Sequence, residues 1–258
     1  MRIILLIALS LLVSCSATST FNDTAFPYEY NDALVAEKPI KNVVLAPVSL
    51  GAPAPSYLRA SERKVRAMVR DYLKSQGYNV LPDYTFENAW KQASRTYGDV
   101  YDPTTGKIDA NAWRAAMVTV GEKLRNETDA DAIVFADLFE HNVQHSSGIT
   151  HYARWYGVAR KPHIIGAGDS VAAEFNWSQP IKAASLMVTI YNVDMVRVFT
   201  SRGGLDTLEG VNTKRADTAF VRLKKLLKYD GNIEEGIELA FHPFIKMDDY
   251  PGKPQATK

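Results

Sequence analysis

The chain has 258 residues, 46% hydrophobic and 23% charged, a globular composition with enough length to bury a sizeable core. Thirty Lys and Arg stand against 29 Asp and Glu, and loss of Arg2 with an N-terminal signal would leave 29 against 29, so the charge balance gives no support to nucleic-acid binding. One cysteine excludes an internal disulfide framework.

Met1-Arg2 is a short positive start, and Ile3 to Val13 is an apolar run of signal-peptide length. A spanning helix needs about 20 apolar residues, more than this run supplies. The run ends in Leu12-Val13-Ser14-Cys15, which resembles the bacterial lipobox and predicts cleavage before Cys15 and acylation of its thiol. Acyl chains contribute about 0.8 kcal/mol per buried methylene, so two or more hold a protein stably on a bilayer. Ser16 follows where Asp would signal inner-membrane retention, which favours the outer membrane by analogy. The expected organisation is a signal over 1–14, a lipidated flexible tether over 15–38, an α/β periplasmic domain over 39–250 and a flexible tail over 251–258. Phe26-Pro27-Tyr28-Glu29-Tyr30 supplies aromatic residues with which part of the tether could dock onto the domain.

The domain opens with Asn42 to Val48, a nearly continuous apolar run that fits a strand buried on both faces. Ser61 is placed to cap a helix with Val65, Val69, Tyr72 and Leu73 at helical spacing, stopped by Gly77. Tyr78 to Pro82 reads as a second strand, completing a βαβ unit. A short helix is expected from Thr85 to Trp90. Asp109 caps another in which Trp113, Met117, Val120 and Leu124 form one stripe, and Ala132 to Leu138 is a further buried strand. Residues from about 141 to 182 show little period and read as a loop insertion. Ser185–Val193 and Val196–Ser201 predict a hairpin. Phe220, Leu223, Leu226 and Leu227 suggest a helix, broken by Gly231 before a last helix capped by Asn232. The fold class is α/β: one two- or three-layer domain with a mixed sheet of about five strands flanked by helices.

This order runs lipobox, tether, Val43-Val44-Leu45-Ala46-Pro47-Val48, helix, Gly77 to Pro82, helix, Ala130 to Ala136, Leu186 to Val193, final helix pair. It resembles Gram-negative lipoproteins built on one small α/β domain. They include curli-secretion channel lipoproteins, penicillin-binding-protein activators and surface lipoproteins of unassigned role. The resemblance covers about residues 40–245 and rests on pattern and order. It implies a non-enzymatic protein that assembles or binds envelope proteins, and it leaves self-assembly open. In the curli channel the segments between core strands form a membrane barrel. Here Ile149 to Ala159 alternates poorly, against the 9–11 alternating residues that a spanning strand needs, so a pore is not expected.

No nucleophile, base and orienter assemble from the motifs, and no catalytic, cofactor or metal site is expected. His141, His145 and His151 have the spacing nearest to a metal cluster, but no cysteine or carboxylate completes it. Gly166-Ala167-Gly168-Asp169-Ser170-Val171 lacks both the third glycine of a dinucleotide loop and the Gly-x-Ser-x-Gly pattern of a hydrolase elbow. Two contact surfaces are proposed by composition. Tyr152, Arg154, Trp155 and Tyr156 have the aromatic and Arg character of protein or ligand interfaces. A basic helix face (Arg63, Arg66, Arg70 and Lys74, with Arg59 and Lys64 beside them) and a second group, Lys224, Lys225 and Lys228, suit anionic lipid or an acidic partner. The expected role is an outer-membrane-anchored periplasmic lipoprotein that binds proteins. A small-molecule or glycan-binding lipoprotein is the alternative, and an envelope hydrolase ranks below both.

Overall fold

A computed structural model describes residues 27–47, 49–50, 54–98, 100, 108–146, 151–166, 171, 175–213, 220–247 and 255–256. The signal run, Cys15 and residues 167–170 of the Gly-rich stretch lie outside the described residues. Among those described, no helix is long and apolar enough to cross a membrane.

The fold is α/β. Strand β1 (Pro27–Tyr30) and the short helix α1 (Asp32–Glu37) precede β2 (Asn42–Leu45). Helix α2 (Arg59–Ser75), β3 (Asn79–Val80), α3 (Asp83–Tyr97) and α4 (Ala110–Glu127) follow, then β4 (Ala132–Val143). The segment read as an insertion carries β5 (Ala153–Trp155), β6 (Val158–Arg160) and β7 (His163–Ile165). The remaining elements are β8 (Ile181–Asn192), β9 (Arg197–Thr207), β10 (Glu209–Asn212), β11 (Phe220–Arg222), α5 (Asp230–Phe241) and β12 (Gln255–Ala256). The central sheet has the order β12-β1-β9-β8-β4-β2-β3, parallel around β2 and antiparallel from β4 through β8 and β9 to β1.

Burial on both faces of β2 makes three layers. Val43 and Leu45 pack with Val65, Val69 and Leu73 of α2 and with Ile233, Ile237 and Phe241 of α5. Val44 and Ala46 face the other way, onto Phe86 of α3 and Met117, Val120 and Leu124 of α4. Asp109 caps α4 as its sequence position predicts, its carboxylate accepting the N–H groups of Asn111 at 2.9 Å and Ala112 at 3.1 Å. Where α5 crosses β9, two glycines meet: a Cβ on Gly203 would stand 1.9 Å from the Gly236 carbonyl oxygen.

Several expectations need correction. Residues 27–37 of the expected flexible tether belong to the fold, with Glu29 opposite Thr200 and Tyr30 opposite Phe199 of β9. Tyr30 meets Phe199 edge-on at 5.8 Å, so the aromatic residues draw this segment into the core. Gln255–Ala256 of the expected tail pairs in parallel with β1. The 141–182 segment, expected as a loop, carries three short strands, β5, β6 and β7, besides the ends of β4 and β8. Phe220–Arg222 is a strand against β10 and not a helix, because Phe220 packs on Phe175 and His145. Gly231 lies inside α5 instead of ending a helix before it. The short helix from Thr85 extends from Asp83 to Tyr97, since Phe86, Ala89 and Ala93 repeat the buried stripe.

Candidate functional site

Strands β4, β8 and β9 extend beyond the helices. On one side of the sheet α3 and α4 cover β2 and the first half of β4. At the far end the β5–β6 hairpin covers that same side, with Val158 and Trp155 seated against Gly204. Between them Phe139, Met187, Thr200 and Arg202 are half-buried, while Asp137 and Thr189 are buried. Pairing places Asp137 beside Met187 and Met187 beside Arg202, and sets Thr189 beside Thr200.

Phe139, Met187 and Arg202 are each half-buried. The Arg202 guanidinium lies over the Phe139 ring at 5.8 Å and the Tyr156 ring at 5.6 Å, and its Nη1 donates to the Tyr156 hydroxyl at 3.3 Å. Tyr156, at the hairpin tip with φ +38°, lies 5.2 Å from the His141 ring. Side chains of this kind are enriched at protein interfaces, where large apolar area and a cation are held with little freedom left to lose.

Next to this patch a groove of about 630 Å³ follows α4, lined by Leu50, Ile108, Trp113, Met117, Tyr191 and Met195 with Arg114 and Asp194. Asp194 is held by Arg125 at 2.5 Å, whereas the indole N–H of Trp113 has no partner among the described residues. Asp137 joins groove and patch: its Oδ2 accepts the Leu50 N–H at 3.1 Å, and burial raises its carboxyl to about 6.

Only part of the aromatic group named from sequence reaches this surface. Tyr156 does. Trp155 is 6% exposed and packs inside a small core with Val143, Val158 and Leu239, so it is a structural residue. Arg154 and Lys161 lie over the Tyr152 ring at 6.0 and 5.7 Å, on the hairpin rather than in the groove. Phe139, Met187, Arg202 and the groove were missed. Their signal is the alternation Met187-Thr189-Tyr191, which becomes visible only once a register with β9 is known.

The three histidines do not converge on a metal, and among the described residues no group of three ligating side chains exists. His141 Nε2 lies 2.8 Å from Ser185 Oγ, which also accepts the Trp155 indole N–H at 3.0 Å. Burial lowers the His141 pKa, which favours the neutral ring in this hydrogen bond. Ser185 is 0% exposed, so this pair locks the strand and presents no nucleophile to a substrate.

His145 stacks on Phe220 at 5.4 Å and meets the Trp177 ring at 5.7 Å, with neither ring nitrogen bonded among the described residues. His151 stacks on Trp177 at 3.8 Å. A separate buried network joins Asp206 to His163 at 2.9 Å and to Asn232 at 3.0 Å, and pairs Arg160 with Glu235 at 2.6 Å. It fastens β7 and β9 to the start of α5.

The basic helix face is divided. Arg66 turns inward, its Nη2 donating to the Leu45 carbonyl at 3.1 Å, and burial lowers its pKa. Arg70 pairs with Asp83. Arg63 and Lys74 remain exposed.

No family model matches the chain, and no curated protein or solved structure matches it at a significant level.

Proposed function

We propose that the chain is an outer-membrane lipoprotein, acylated at Cys15, whose α/β domain binds another envelope protein without catalysing a reaction. The observation that carries this reading is the half-buried sheet surface of Phe139, Tyr156, Met187 and Arg202, with the groove beside Trp113 on the same side of the sheet. The lipobox and the resemblance in element order add support from the sequence. The enclosure of Ser185 favours a binding role over a hydrolytic one.

Two experiments test the reading. Labelling cells with a palmitate analogue marks the wild-type chain and leaves Cys15→Ser unlabelled; equal labelling of both ends the anchoring claim. A photo-crosslinker at Met187 should capture one dominant envelope protein in intact cells, and Arg202→Glu should reduce that capture about tenfold while the melting temperature stays close to wild type. Rim charges mainly affect association, and a central Arg anchor contributes about 1–3 kcal/mol. Capture that does not change in Arg202→Glu places the partner elsewhere. The groove favours a second reading, a small apolar ligand held beside Trp113, which a Trp113 fluorescence change on ligand addition would reveal.

A further inference from the structure

The two basic groups found in the sequence lie far apart in the chain, yet the structure joins them into one surface. The segment between β11 and α5 is held against the start of α2 at both of its ends. Arg222 lies over the Tyr57 ring at 3.7 Å, and Tyr57 belongs to the single turn that leads into α2. Lys64 of α2 donates to the Leu227 carbonyl at 3.1 Å and pairs with Asp230 at 2.5 Å. Arg59 and Arg63 therefore stand beside Arg222, Lys224, Lys225 and Lys228, and all six are exposed. Of the carboxylates beside them, Asp230 is held by Lys64, Glu209 opposite Arg222 accepts the Lys182 N–H, and Glu140 is bonded to Tyr57 and Lys182. Glu62 stands on the same stretch of α2, while Glu234 and Glu238 lie one and two turns further along α5, about 6 and 12 Å away from its start. In a chain with nearly equal numbers of acids and bases, this is a segregated positive field.

Its position relative to the N-terminal segment indicates what it meets. Extending the β1–β9 register by two residues sets Pro27 opposite Arg202. The chain thus enters β1 from the end toward which β9 runs, on to Thr207 and Leu208. At that end Leu223 N–H donates to the Leu208 carbonyl at 3.0 Å and Arg222 pairs with Glu209, which places the basic segment there. Residues 16–26 separate Cys15 from β1, eleven positions that reach at most about 40 Å when fully extended. We infer that the surface formed by Arg59, Arg63, Arg222, Lys224, Lys225 and Lys228 docks on an anionic phospholipid bilayer, and that the tether delivers this end of the domain to it. The inference uses the anchoring reading for its geometry, but the surface can be tested without the anchor. Basic residues near an anionic leaflet attract it additively, and salt screens the effect within about a Debye length.

The test uses the chain from residue 16 onward, which lacks both the apolar signal run and the acylation thiol, and sedimentation with vesicles. Vesicles of phosphatidylcholine containing phosphatidylglycerol should retain it at low salt, phosphatidylcholine alone should not, and about 0.5 M NaCl should release it. The triple variant Arg63→Glu, Lys224→Glu, Lys225→Glu should lose on the order of 100-fold in partitioning. Lys91→Glu with Arg95→Glu on α3, outside the patch, should bind as the parent does. Thermal melts of both variants matched to the parent confirm that folding is retained.

Equal binding to neutral and anionic vesicles, or full binding by the triple variant, overturns the inference. Displacement by inorganic phosphate beyond its ionic-strength effect would show a discrete phosphate site and also overturn it. Absence of binding to anionic vesicles overturns it and leaves the patch to an acidic protein. None of these outcomes depends on palmitate labelling of Cys15, so anchor and surface fail separately.

Discussion

Gly203→Ala should lower the melting temperature by roughly 6–12 °C, the equivalent of about 3 kcal/mol for a domain of this size. A methyl group there would stand 1.9 Å from the Gly236 carbonyl oxygen and 2.8 Å from the Ala240 nitrogen, both backbone atoms of α5. No rotamer change relieves such an overlap, so the helix must lift from β9 and loosen Ile233, Ile237 and Phe241 from the core. The same substitution at Gly231 should behave in the opposite way. Nothing lies within 4 Å of the added methyl there, and the position is in the first turn of α5, where Ala gains about 0.5–1 kcal/mol over Gly by reducing unfolded-state freedom. Thermal melts followed by circular dichroism compare the two. A Gly203→Ala melt within 2 °C of wild type would show that α5 does not depend on this close approach.

The second large effect is on acid stability. Burial lowers the His145 imidazole to about 4 from an ordinary 6.5, with the nearby His151 adding to the shift. Below pH 6.5 the unfolded chain takes up a proton that folded His145 refuses. Stability therefore falls as pH drops from about 6.5 toward 4, by about 2–3 kcal/mol from this residue. Asp137 acts in the reverse sense. Its carboxyl titrates near 6 in the fold against 3.8 ordinarily, so between those values the folded state holds the extra proton and stability rises as pH falls.

His145→Phe removes two unpartnered ring nitrogens from an aromatic cluster and keeps a ring against Phe220. Urea unfolding should find it more stable than wild type at pH 7 by about 1 kcal/mol, with the gap widening by about 2 kcal/mol at pH 4.5. Asp137→Asn should gain most at pH 7 and keep only about a third of that advantage at pH 4.5. Parallel pH profiles for wild type and His145→Phe would remove His145 as the source of acid sensitivity.

Much of the fold could be read locally. The apolar run read as a strand from Asn42 to Val48 forms one over Asn42–Leu45, Ala132–Leu138 lies within β4, and the stripes of α2 and α4 and the Asp109 cap formed as read, each depending on residues a few positions apart. The misreadings share a physical cause. Residues 27–37 and 220–222 have weak local preference and are placed by partners distant in sequence, Phe199 in one case and Phe175 with His145 in the other. The binding surface was hidden for the same reason. Met187 and Arg202 become neighbours only through a hairpin register, and the two basic groups join only through the Lys64–Asp230 and Arg222–Tyr57 contacts. Trp155, by contrast, had the composition of a contact residue but serves as core.

The pairing of Gln255–Ala256 with β1 has a consequence for how any partner attaches. One border of the sheet is occupied by those two residues, and the other ends in β3, itself only two residues long. Among the described residues the outermost strand at each of these two borders is two residues long and offers little main chain on which an incoming chain could extend the sheet there. Recognition is thereby directed to side chains on the face, and deletion of residues 251–258 would free β1 for edge-to-edge association, seen as concentration-dependent aggregation of an otherwise folded domain.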